Sequence, residues 1–310
     1  MSDGSAGPVS TLLPQHGRYD YSPIVERKDY SWPGGKRLAF CLTTNITVFG
    51  FGKGRGPDNA KLKEPQTQRN FAWREYGSRI GIWRLFDLAD ELAIPLAHNT
   101  TSLLYAYAPQ IFEPIRRRGD EIIAHGRTTS ETMHDFRWES DEAHVIREVT
   151  ETFKRNEGKP PKGWLGQGAY ENPWTPDLLK EAGYTYLTDW PHDDQPLWMK
   201  TRAGPILSVP YPVELNDSPS VLHRQHTGRE FCDMLVDQFE EMAEASARHP
   251  LVCNISIHPY VFGQPFRLRP LRKALQHCLK GKFMDRVWKA RPGEIADYCY
   301  ALAPGIIPGS

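Results

Sequence analysis

Two histidines, His125 and His258, and a set of carboxylates, Asp189, Asp193, Asp194 and Glu131, are the residues of this chain best suited to acid–base chemistry. An unperturbed imidazole titrates near 6.5, so it can take and return a proton at neutral pH. A carboxylate can orient such a ring, or act as base itself where desolvation raises its pKa. Hydrolysis of an amide needs water to be activated, the developing oxyanion to be stabilised and the departing nitrogen to be protonated. His125, His258, Asp193 and Asp189 are therefore the candidates for catalysis. Asn45, Thr47, Arg79, His98, Glu131, Trp164, Gln167, Asp194 and Asn216 are the candidates for holding a substrate, with Arg79, Asn45 and Gln167 suited to carbonyl oxygens.

Plainer readings stand beside these. His98 can be a satisfied structural histidine, and the stretch 189–196 (DWPHDDQP) a turn-rich acidic loop. Phe71, Trp73, Tyr76 and Trp83 read equally as core packing, and Cys41 and Cys253 as small buried hydrophobes.

The elements that must position these residues follow from hydrophobic rhythm. Short apolar runs at 37–44, 94–98, 121–125, 163–168, 184–189, 206–210 and 251–258 read as buried parallel strands. Helical patterns lie between them, at 76–92, 109–118, 141–158 and 229–248, with another opening at Thr175 and a last one over 293–301. The residues 50–68 read as a loop over one barrel mouth. With no repeat and no linker, the alternation implies one α/β domain over 37–310, preceded by an extended arm over 1–36. No Gly-x-Gly-x-x-Gly turn follows any strand, which favours a barrel over an open sheet.

In a barrel, chemistry gathers where strands end. Asn45 and Thr47 follow the first strand, and His98 and Asn99 end the second. His125, Gln167 and Asp189 end the next three, Asn216 and Asp217 lie just past the sixth, and His258 ends the seventh. Polar residues at so many strand ends mark an active site, in which His125 and His258 should meet.

Thirty-eight basic residues balance thirty-eight acidic ones in 310, so no nucleic acid or anionic membrane is expected as a partner. Five cysteines without a C-x-x-C spacing argue against a disulfide frame or a cysteine zinc site. The opening residues show no basic region followed by an apolar one, and no apolar run reaches the ~20 residues of a membrane span. The expected compartment is the cytoplasm, and the arm suggests a homo-oligomer.

Several segments together resemble the polysaccharide-deacetylase (NodB-homology) superfamily: 119–126 (GDEIIAHG), 163–164 with 175–184 (TPDLLKEAGY), and 257–267 (IHPYVFGQPFR). Three more, 32–37 (WPGGKR), 75–84 (EYGSRIGIWR) and 193–196 (DDQP), are similar to its cofactor-independent allantoinase and cyclic-imide hydrolase branch. The resemblance implies a distorted (β/α)7-type barrel. Deacetylases close strand one with a Thr-Phe-Asp-Asp-Gly-like motif, giving a base and a metal ligand, and carry two histidines a turn apart after strand three. Here 45–48 reads NITV, and His125 is followed by GRTTSE. Two of three metal ligands are thus lost. The branch usually keeps a Glu where Thr47 stands. The implied function is metal-independent hydrolysis of a non-peptide C–N bond in a small cyclic amide, imide or ureide, with no cofactor. The alternatives are a zinc- or other metal-dependent N-deacetylase of a sugar or small amide, with His98 or Asp193 as replacement ligand, and a degenerate barrel that binds or scaffolds.

Overall fold

A computed structural model describes residues 13–52, 67–131 and 135–309. All seven expected strands form: β1 (Leu38–Ile46), β2 (Leu96–Thr100), β3 (Glu121–Ala124), β4 (Gly163–Trp164), β5 (Tyr186–Leu187), β7 (Ile206–Ser208) and β8 (Leu251–Ile257). Two short ones join them, β6 (Leu197–Met199) and β9 (Val287–Lys289). The order is β6-β7-β5-β4-β3-β2-β1-β8, with β9 beside the start of β1. Every pairing is parallel except the edge hairpin of β6 with β7. The sheet curls into a barrel whose last gap is filled without a full strand. There the amide of Ser256 donates to the Leu215 carbonyl, and that of Val252 to the Asp194 carbonyl.

Ten helices cover the outside, among the described residues: α1 (Gln68–Tyr76), α2 (Ile82–Leu92), α3 (Leu104–Tyr107), α4 (Phe112–Arg118), α5 (Glu139–Glu157), α6 (Thr175–Glu181), α7 (Gly228–Ala245), α8 (Pro259–Phe262), α9 (Pro265–Lys280) and α10 (Pro292–Ala301). Three arginines close α4 and Gly119 caps it at φ 67°, as the negative pole of a helix and its left-handed terminator require. The expected helix over 76–92 is instead a π turn, Gly77–Gly81, running into α2. Helix α6 opens at Thr175, as expected, directly after Trp174. The Thr175 hydroxyl, inside the first turn, is hydrogen-bonded to the buried Glu142 carboxylate. Helices α1 and α9 fall where no helix was expected.

Period-two alternation gives each strand two environments. On β1, Leu38, Phe40 and Leu42 join the helix-side core, while Ala39 and Cys41 face the interior with Ala97, Ile123 and Val252. Trp32, at the end of the arm, packs into that interior cluster and donates its indole N–H to the Leu251 carbonyl at 3.0 Å. The arm runs along its own barrel, held by ion pairs from Arg18 to Asp177 (2.6 Å) and from Arg27 to Asp193 (2.5 Å). No helix among the described residues is long and apolar enough to cross a membrane.

Candidate active site

The same alternation stacks polar residues above the apolar interior. Asn45, Asn99, Ser256 and Tyr211 form a buried layer. Asn99 Nδ2 donates to Asn45 Oδ1 (3.0 Å), Asn45 Nδ2 donates to Ser256 Oγ (2.9 Å), and Ser256 Oγ meets the Tyr211 hydroxyl at 2.6 Å. Asn45 is thus spent within the barrel floor, while the buried Oδ1 of Asn99 has no partner. Burial pushes the Tyr211 phenol up to about 12, so it stays a neutral hydrogen-bonding group.

One step further along the strands lie the two histidines. His125 directly follows β3, and its Nδ1 lies 2.7 Å from the Leu165 carbonyl oxygen. A carbonyl only accepts, so the proton sits on Nδ1 and Nε2 keeps its lone pair. Burial drives the His125 pKa down to about 4, and the nearby His258 adds to the depression. His125 is therefore a neutral imidazole at physiological pH. His258 sits at the entry of α8 with extended backbone angles (φ −104°, ψ 128°). Both oxygens of Asp217 bind it: Oδ1 lies 2.6 Å from Nδ1, and Oδ2 accepts from the backbone amide at 2.8 Å. Asp217 is wholly buried, at the start of a π turn over Ser218–His223. This is the histidine–carboxylate arrangement of a general base whose tautomer is fixed from behind.

Asp189 follows β5 and accepts from the Gly166 amide at 2.6 Å. Burial raises the Asp189 carboxyl well above the usual carboxylate range, and the charge of Glu171 adds to it; burial also raises Glu171, to about 7. Glu171 is also held by the Trp190 indole at 2.7 Å.

The remaining expected residues divide between three places. Thr47, Arg79 and Glu131 line a cavity of about 860 Å³ at the C-terminal ends of β1 to β3. Within it Glu131 is engaged by Arg127 at 2.8 and 2.9 Å, and Arg79 reaches Glu75 only at 3.6 Å. Gln167 lies under the mouth, its amide donating to the His125 carbonyl, and Asn216 pairs with Ser256 as an isolated bridge. The others lie away from the two histidines. His98 points outward, between Thr44 Oγ1 (2.7 Å) and Asp120 (3.3 Å). Trp164 is buried in the helix-side core. Asp193 is clamped by Arg27 of the arm, and Asp194 lines a separate groove beside it.

No group of three or more His, Cys, Asp or Glu side chains converges as a metal site among the described residues. The segment 45–48 (NITV), read against the strand-one motif of deacetylases, holds no carboxylate, and the amide of Asn45 is turned into the floor network. The Nδ1 atoms of both histidines are occupied by Leu165 and Asp217. Among the described residues, two histidines alone fall one ligand short of a tetrahedral zinc site, which needs three protein ligands beside water.

No profile of a known protein family matches the chain. A protein of Schizosaccharomyces pombe, provisionally named a polysaccharide deacetylase, is 24% identical over 97% of this chain and 97% of its own. A crystal structure from Pseudomonas aeruginosa PAO1, of a protein with the same provisional name, superposes with a TM-score of 0.79. Its identity is 25%, over 88% of this chain and 94% of that one. The crystal structure of PuuE allantoinase gives a TM-score of 0.81 at 24% identity, over 92% and 99% of the two chains. Fold and resemblance define the class: a barrel of the polysaccharide-deacetylase-like type, similar to proteins named as deacetylases and an allantoinase. Within it, the chain carries the histidines of the third and last long strands without the strand-one carboxylates.

Proposed function

We propose that the chain hydrolyses a C–N bond of a small cyclic amide, imide or ureide without a metal ion. One observation carries this reading: Asp217 binds the Nδ1 side of His258, while the residues 45–48 (NITV) that close the first strand hold no carboxylate. Nε2 of His258 takes a proton from water as the hydroxyl adds to the ring carbonyl carbon. The Asp217 carboxylate faces the positive charge that forms. The C–N bond then breaks, and the proton on Nε2 passes to the departing nitrogen, so that one water is consumed and no other reactant is needed. His125, neutral and with a free lone pair on Nε2, accepts a hydrogen bond from the water or a ring N–H and sets its direction. The similarity to PuuE allantoinase supports a ring-opening substrate.

Purified protein assayed against hydantoin, succinimide, allantoin and N-acetylglucosamine tests the reading. Ring opening of at least one cyclic substrate, abolished in His258→Ala, is expected. Release of acetate alone would contradict it.

A further inference from the structure

Arg74 is the buried charge that the mechanism above leaves unused. It stands on the last turn of α1, in the wall of the 860 Å³ cavity, and is only 8% exposed. Its Nε and Nη1 atoms are buried without a hydrogen-bond partner. The guanidinium lies flat over the Phe49 ring, 3.6 Å from its centroid, a contact that holds the plane but satisfies no N–H. Burial lowers its pKa only to about 10, so it remains a cation at neutral pH.

The carboxylates of the cavity do not neutralise it. Glu131 is committed to Arg127, and the nearer partner of Glu75 is Arg79. A buried, uncompensated guanidinium costs several kcal/mol of solvation, and such a cost persists where something outside the chain supplies the missing charge. The planar fork of an arginine matches a carboxylate with two parallel hydrogen bonds. Arg74 acts electrostatically on Tyr260, which links its end of the cavity to His258. Its neighbour Trp73 packs edge-on to Tyr260 (5.6 Å), and Tyr260 in turn lies against His258 (5.5 Å).

We infer that Arg74 is the recognition site for a carboxylate on the substrate, so that the ring presented to His258 belongs to an acidic molecule. The inference rests on the hydrolase reading for the ring, but the anion site can be measured by itself. The probes are hydantoin-5-acetic acid and its neutral side-chain amide, titrated into the full chain by calorimetry. The wild type should bind the acid at least tenfold more tightly than the amide. Arg74→Met should erase that ratio, and Arg74→Lys, a point charge without the fork, should keep part of it. Thermal unfolding of Arg74→Met should occur no earlier than that of the wild type, because the substitution removes a buried charge.

Equal binding of acid and amide by the wild type overturns the inference. So does an undiminished ratio in Arg74→Met, or a loss of folding in that variant combined with a full ratio in Arg74→Lys. Ring opening of neutral hydantoin by the wild type is scored separately. If it occurs without any acid preference, the hydrolase stands and the carboxylate site falls. If Arg74-dependent binding appears and no ring is opened, the carboxylate site stands and the hydrolase falls.

Discussion

His125 and His258 are both fixed at Nδ1, but by partners of different charge, and this decides their roles. A neutral carbonyl behind His125 does little to offset its burial, whereas the Asp217 carboxylate directly faces any proton placed on His258. Asp217→Asn keeps the shape but removes that charge and allows the wrong tautomer. It should lower kcat by about 10²–10⁴-fold, with KM changed far less, in steady-state kinetics on whichever ring is opened. An unchanged kcat would remove Asp217 from the mechanism. His125 makes a prediction in stability instead. Its folded pKa, about 4, lies below the ordinary 6.5, so the unfolded chain binds this proton first. The neutral ring's contribution is present above pH 6.5 and is lost as pH falls towards 4, by about 3 kcal/mol in all. Denaturant melts of wild type and His125→Asn across pH 4–7 should differ in slope by that component. Parallel curves would show that His125 is not buried and neutral.

The element that sets His258 is α8, and its seat is made of glycine. Helix α8 packs on the π turn of Gly77–Gly81, where a Cβ at Gly77 would come within 2.8 Å of the Tyr260 amide. One at Gly81 would overlap the Pro259 carbonyl oxygen. Backbone is meeting backbone, so the neighbour cannot yield as a side chain would. Gly81→Ala should cost about 1–3 kcal/mol and shift the entry of α8, lowering activity together with Tm. A variant with wild-type Tm and activity would detach α8 from the site. Much of this scaffold was legible from short apolar runs. All seven strands and the strand-end positions of His125 and His258 follow from them, because a parallel strand covered on both faces leaves a near-continuous apolar stretch that ends where polar residues begin. Helix α9 escaped because Pro270 and a run of basic residues obscured the spacing of Leu268, Leu271, Leu275 and Cys278. Asp217 stood among the polar residues beyond the sixth strand, yet nothing local tells an acid in a loop from one that swings 41 positions away to a histidine. Arg74 gave no signal at all, since want of a partner is a property of the fold. Asp193, an acid in a conspicuous DDQP run, proved to be the anchor of Arg27.

Over the whole molecule, the arm, sheet and helices serve to hold one layered interior: an apolar base around Ala39, Cys41 and Trp32, an amide and hydroxyl floor, and two histidines at the mouth. The segment 45–48 (NITV) at the end of the first strand brings no carboxylate to that mouth. In the proposed mechanism water is activated by His258 with Asp217 rather than by a Lewis acid. The measurement that tests this most directly is ring-opening kcat/KM on protein stripped with a chelator, its metal content verified by elemental analysis, before and after zinc is returned. Equal rates in the metal-free and zinc-treated samples are predicted. Activity that disappears on stripping and returns with one equivalent of zinc would contradict it.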